Sequence, residues 1–317
     1  MALTRTQLDT MAQFVGEAIM EFRPHLKQST LKSYVAQMKK LLKKSGEPHF
    51  EFLQHPEDVK LLVADYAYTT QRNMFAVCAT FLQAIDIDGD LEDTIEYYVA
   101  WRDELNQRYA DEQKTGIIST KQAPNFISMD ELEAFVKKLK RDVSHHEKMG
   151  DTNIRLVATL FQILIKYPLR NDLAGLTLVS KAREKKLTQE DKMARNYLVK
   201  DGDEFIIVDN VYKTSKKYGE NRIPIKDTDL NTALRSFIRN KKLKLGDVMF
   251  DITSNYLSQL LIKYSQQYIQ KNVSTTMIRK IVTSHKFLES KEAQEKHAKV
   301  LGHSVGVEND IYIKKHA

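Results

Sequence analysis

The chain has 317 residues, of which 42% are hydrophobic and 29% charged, with only 11 glycines and 6 prolines. That composition describes a folded, helix-rich protein of about two domains and excludes a disordered or fibrous chain. No run approaches the ~18 uninterrupted apolar residues of a membrane span, and Arg5, Asp9 and Glu17 near the start argue against a secretory leader. The single cysteine, Cys78, excludes an internal disulfide and a cysteine-based zinc site, so a reducing, intracellular compartment is expected. Net charge is +7 and unevenly spread. Residues 1–110 carry 12 basic against 16 acidic side chains, a net of −4, whereas residues 111–317 carry 37 against 26, a net of +11.

Residues 3–22 place Leu8, Met11, Phe14, Val15, Ala18, Ile19 and Phe22 on one stripe, the period of an amphipathic helix. A second helix follows Ser29 or Thr30, with Leu31, Tyr34, Val35, Met38, Leu41 and Leu42 as its apolar face. Within residues 23–44, Arg23, Lys27, Lys32, Lys39, Lys40, Lys43 and Lys44 occur without a single carboxylate. Such a face suits contact with a polyanion, or is simply a solvated lysine-rich surface. Further helices are expected at 58–68, 70–85 and 91–109, completing a helical bundle over 1–110. Residues 111–127 lack a period and read as a linker. Ser128, with Glu131 three residues on, opens a capping box and a second domain, 128–317.

In that domain a helix from about 152 must stop before Pro168. A charged helix is expected near 181–194, then three strands at 197–199, 204–212 and 221–225 forming a small antiparallel sheet. Helices resume at 227–241, 253–270, 274–288 and 291–301. No metal-ligand spacing and no phosphate-binding glycine loop occur, so neither a metal nor a cofactor is expected. His145, His146, His285 and His297 have no partner pattern and read as structural or surface residues.

The stretch Leu301-Gly302-His303-Ser304, with Tyr312 nine residues after His303, resembles the final box of the tyrosine recombinases, the lambda-integrase-like family of phage integrases and chromosome-dimer resolvases. Other positions match in order. Arg170 follows a helix in Pro168-Leu169-Arg170-Asn171-Asp172-Leu173, similar to the family's first arginine, although the acidic residue comes one position early. Lys213 matches the hairpin lysine, with Lys216 and Lys217 as alternatives. Arg279 matches the arginine of the family's H-x-x-R box, but Thr276 stands where the family has histidine.

The resemblance implies a mainly α protein with a small antiparallel sheet: a helical core-binding domain and a catalytic domain closing as a C-shaped clamp on double-stranded DNA. It implies Tyr312 as nucleophile, Arg170 and Arg279 as phosphate clamps, His303 as hydrogen-bond donor and Lys213 as general acid. Site-specific recombination or integration through a 3′-phosphotyrosine, by a homotetramer on paired sites, would follow. The proline before Arg170 resembles viral and mobile-element members, which would place the protein in a host cytoplasm or nucleus. The rival readings are a type IB topoisomerase-like relaxing enzyme, and a DNA-binding structural or packaging protein with reduced catalysis, which Thr276 motivates. The residue types suit the chemistry independently. Attack on a phosphodiester loads negative charge onto the non-bridging oxygens, which fixed cations stabilise without a metal, and the departing oxygen needs a proton donor.

Overall fold

In a computed structural model, which describes residues 4–114, 117–287, 291–302 and 304–307, the chain divides into two compact units, Met1–Gln113 and Lys114–Ala317. Among the described residues the elements of the first are all helical: α1 Arg5–Phe22, α2 Gln28–Ser45, α3 Pro56–Leu62, α4 Tyr68–Ile85 and α5 Glu92–Lys114. Thr4 starts α1 with a reciprocal capping box, its hydroxyl accepting from the Gln7 amide while the Gln7 side chain accepts from the Thr4 amide at 2.9 Å. Gly46, at φ 73°, ends α2 in the left-handed conformation that glycine adopts without penalty. Val15, Ile19, Met38, Leu41, Phe75, Cys78 and Phe81 form the core. Burial in it pushes the Cys78 thiol above its ordinary range.

Several boundaries differ from expectation. Helix α2 begins at Gln28 with Lys27 at its N-cap, so Ser29 and Thr30 lie within its first turn and neither caps it. Helix α3 ends at Leu62 rather than 68, and α5 continues to Lys114, into the expected linker. No glycine or proline interrupts residues 91–115, and the i,i+4 pairs Arg108–Glu112 and Gln107–Asp111 support the added turn at 3.1 and 2.9 Å.

The second unit contains α6 Met129–Lys148, α7 Ile154–Lys166, β1 Thr177–Ser180, α8 Lys181–Glu184, α9 Gln189–Ala194, β2 Tyr197–Asp201, β3 Glu204–Asp209, α10 Ser215–Tyr218, β4 Asn221–Ile225, α11 Thr228–Asn240, α12 Ser254–Ile269, α13 Thr275–Lys286 and α14 Lys291–Val300. Ser128 and Glu131 form the expected capping box at 2.7 and 3.1 Å. The sheet order is β1-β2-β3-β4. It is mixed, not antiparallel: β1 pairs parallel with β2, and only β2–β3 and β3–β4 are antiparallel. The added strand is four residues long, too short to show a period, and the charged segment behind it breaks at Lys185–Leu187 into α8 and α9 rather than forming one helix.

Alternation along the strands turns Leu198, Phe205, Ile207, Ile223 and Ile225 toward the helices, where they share a core with Leu160, Leu164 and Leu234. Tyr197, Val199 and Val208 pack together on the opposite face. The β1 edge is closed and the β4 edge is interrupted. Along β1, Gly246 N donates to Leu178 O at 2.7 Å and Leu178 N to Asp247 O at 2.9 Å, while β4 carries Pro224, which has no N–H to offer.

Candidate active site

Helix α7 stops where Pro168 requires it, and the chain turns through Arg170 into a 3₁₀ turn, Asn171–Leu173. Asn171 locks that turn onto two helices. Its Nδ2 donates to Ser258 Oγ on α12 at 3.0 Å, its Oδ1 accepts from Thr275 Oγ1 on α13 at 2.7 Å, and its carbonyl accepts from Ser254 Oγ at 3.3 Å. Arg279, on α13, is only 2% exposed, and its Nη1 donates to the carbonyl of Pro168 at 3.0 Å. Burying a guanidinium is costly unless its charge is answered. Asp172 supplies part of the answer, lying within electrostatic reach of both Arg170 and Arg279. Burial nevertheless lifts the Asp172 carboxyl above the usual range, outweighing both arginines.

A second carboxyl lies behind the first. Asp209, 3% exposed at the end of β3, is pushed up to about 7, first by burial and then by the negative charge of Asp172. Its Oδ1 has no hydrogen-bond partner among the described residues. Beside it, buried Asn196 donates from Nδ2 to the carbonyls of Asp172 and Val211 at 3.3 and 3.0 Å. Asn171, Asn196 and Asp209 escaped the sequence reading, because a polar residue in a turn or beside a strand end carries no periodic signal and its role appears only when distant segments meet.

Asn196 also explains why β3 ends early. Its Oδ1 accepts from the amides of Asn210 and Val211 at 2.9 and 2.7 Å, diverting them from the ladder, so the expected strand 204–212 stops at Asp209. Lys213 therefore lies in a longer connection that includes α10, not in a tight hairpin turn; it is exposed, as are Lys216 and Lys217. The connection is anchored at three points. Tyr212 Oη donates to Gly219 O at 2.9 Å, Thr214 Oγ1 donates to Gly302 O, and Asn221 Nδ2 donates to Val300 O at 2.8 Å. Gly302 has φ +68°, and a Cβ there would stand 2.6 Å from the Tyr212 ring. Both facts require glycine. The loop bearing Lys213 thus rests on the residue preceding His303. His303 itself and Tyr312 lie outside the described residues. Thr276 is exposed on the first turn of α13, one turn before Arg279, while the neighbouring Thr275 is buried and holds Asn171.

The basic run divides by environment. Lys39 pairs with Asp9 at 2.5 Å, and Lys44 pairs with Asp65 and lies over the Tyr66 ring at 4.6 Å. Each lysine holds its carboxylate partner below the usual range. Arg23 donates to Gln83 Oε1 at 3.2 Å. Lys27, Lys32, Lys40 and Lys43 are exposed and, among the described residues, form no ion pair. Of the histidines, His146 Nε2 meets Tyr268 Oη at 3.2 Å and His297 packs on Phe287 with ring centroids 4.7 Å apart. Among the described residues no group of three or more His, Cys, Asp or Glu side chains could hold a metal ion, and no helix is long and apolar enough to cross a membrane.

No family model matches the sequence, and no curated protein does. Among solved structures, the chain is similar to the crystal structure of XerA recombinase, with a TM-score of 0.41 and 13% identity over 94% of this chain and 93% of that one.

Proposed function

We propose that the protein breaks and rejoins double-stranded DNA by strand exchange through a covalent 3′-phosphotyrosine on Tyr312. The observation that carries this reading is the meeting of Arg170 and Arg279 around Asp172, with Arg279 buried and oriented by the Pro168 carbonyl. Cations fixed in a site that excludes water stabilise developing phosphate charge without reorganising during the reaction. Geometry of this kind is unneeded for a salt bridge on a surface.

In the proposed step the Tyr312 phenolate attacks phosphorus and the P–O5′ bond breaks. Arg170, Arg279 and His303 bind the non-bridging oxygens, and Lys213 gives its proton to the departing 5′ oxygen. Reversal with another 5′ hydroxyl rejoins the strand, so the diester's energy is retained. The docking of the Lys213 loop against Gly302 supports a shared placement of Lys213 and His303. The helical unit would hold the duplex through Lys27, Lys32, Lys40 and Lys43, with four protomers on two paired sites.

A pool of nicked duplexes of randomised sequence, in which cleavage releases a short fragment and prevents religation, tests the reading. A denaturant-resistant adduct mapping to Tyr312 is expected, lost in Tyr312→Phe while DNA binding is kept. An adduct that persists in Tyr312→Phe would refute it.

A further inference from the structure

The second unit carries a cleft of about 750 Å³ between α11, the start of β3 and the chain after α11. Its floor is apolar, with Phe205 and Leu243, and its rim carries Lys200, Arg235, Arg239 and Lys242; no carboxylate lines it. Lys200 and Phe205 are cross-strand partners at the end of β2–β3 opposite Asn196 and Asp209, so the cleft is separate from the arginine centre. Lys242, two residues past the end of α11, has φ 54°, a left-handed conformation that is disfavoured for a residue with a Cβ. That turn brings Leu243 N back to Ile238 O at 3.0 Å, seating Leu243 in the cleft with Lys242 beside it.

An apolar floor inside a cationic rim matches a ligand of the opposite pattern, an apolar side chain flanked by carboxylates. The first unit displays one. Ile87 is 92% exposed between Asp86, Asp88 and Asp90. The loop around it is held in one shape: Asp86 Oδ1 accepts from the amides of Gly89 and Leu91 at 3.1 and 3.3 Å, and Gly89 adopts φ +83°. Little ordering cost would remain on docking. A phosphodiester backbone would satisfy the rim but leave the floor unfilled. We propose that this cleft receives the residue 86–90 loop of a second copy of the chain, Ile87 entering the floor and Asp88 and Asp90 meeting the cationic rim. The two surfaces differ, so the contact is head-to-tail and propagates until a ring or chain forms. It follows the charge division of the sequence, −4 in residues 1–110 against +11 beyond. The inference does not rest on the strand-exchange reading.

Sedimentation of the full-length protein without DNA tests it. Self-association is expected, weakening as salt rises. Asp88→Lys/Asp90→Lys in the loop, Arg235→Glu/Arg239→Glu in the cleft, and Ile87→Ser should each weaken it about tenfold or more. Mixing the loop and cleft variants should restore association, because each retains the surface the other lacks. Ile87 is exposed, so its substitution leaves folding intact and keeps the test valid if a cleft variant misfolds. A wild type that stays monomeric overturns the proposal, as does unchanged association in Ile87→Ser. Loss of DNA affinity with association intact in the cleft variant also overturns it, and makes the cleft a phosphate-binding surface.

Discussion

Replacing Asp209 with asparagine should stabilise the second unit relative to the wild type by an amount that grows as pH rises through the range below about 7 and levels off above it. The folded protein keeps the Asp209 proton up to about pH 7, whereas the unfolded chain releases it near 3.8. Between those values the folded state binds more protons, so stability falls as pH rises, by about 1.4 kcal/mol per unit. From pH 5 to pH 8 the wild type should therefore lose roughly 2–3 kcal/mol that Asp209→Asn keeps, since an amide has no proton to release. Any constant cost of placing an amide there cancels when the two pH values are compared. Urea unfolding followed by circular dichroism provides the measurement. The only tryptophan, Trp101, lies in the first unit, so its fluorescence reports that unit separately. A variant-minus-wild-type difference that is the same at pH 5 and pH 8 would show that Asp209 is not held protonated by its burial.

Neutralising Lys27, Lys32, Lys40 and Lys43 to glutamine should weaken binding to any duplex and reduce the slope of log affinity against log salt by up to about 3.6, at about 0.9 per phosphate contact. The same change at Lys39 and Lys44 should reduce that slope by less, because Asp9 and Asp65 already engage them; binding titrations over a salt series separate the two sets. Gly302→Ala should displace Tyr212 and loosen the Lys213 connection, slowing covalent adduct formation at least tenfold while duplex affinity, read by the same titrations, stays unchanged.

Local signals in the sequence were sufficient for most helices, because caps and breakers act within a few residues. Ser128 with Glu131 starts α6, Pro168 halts the chain after α7, and the stripe through Val15 and Ile19 faces the core of the first unit. What was illegible depends on distant partners. Strand β1 exists because β2 and residues 246–250 flank it, and nothing in Thr177–Ser180 announces either neighbour. The shortened β3 depends on Asn196, more than ten residues earlier in the chain. The basic run in α2 looked uniform, since the carboxylates that engage Lys39 and Lys44 come from α1 and from the turn after α3. At the arginine centre, residue types suggested which side chains could meet, but not that Asn171 would clamp the turn or that Asp209 would lie buried behind Asp172.

The closed edge of β1 also sets an order of events during synthesis. The residues that seal it, around Gly246 and Asp247, leave the ribosome about 70 residues after Leu178. At a translation rate of ~5–20 residues per second, that leaves the edge of β1 open for roughly 4–14 s. For those seconds the nascent sheet offers unpaired backbone groups beside an apolar face, and chaperone demand should peak there. The finished protein has no such edge on β1, so the hazard of strand-to-strand aggregation there belongs to its birth and not to its working life.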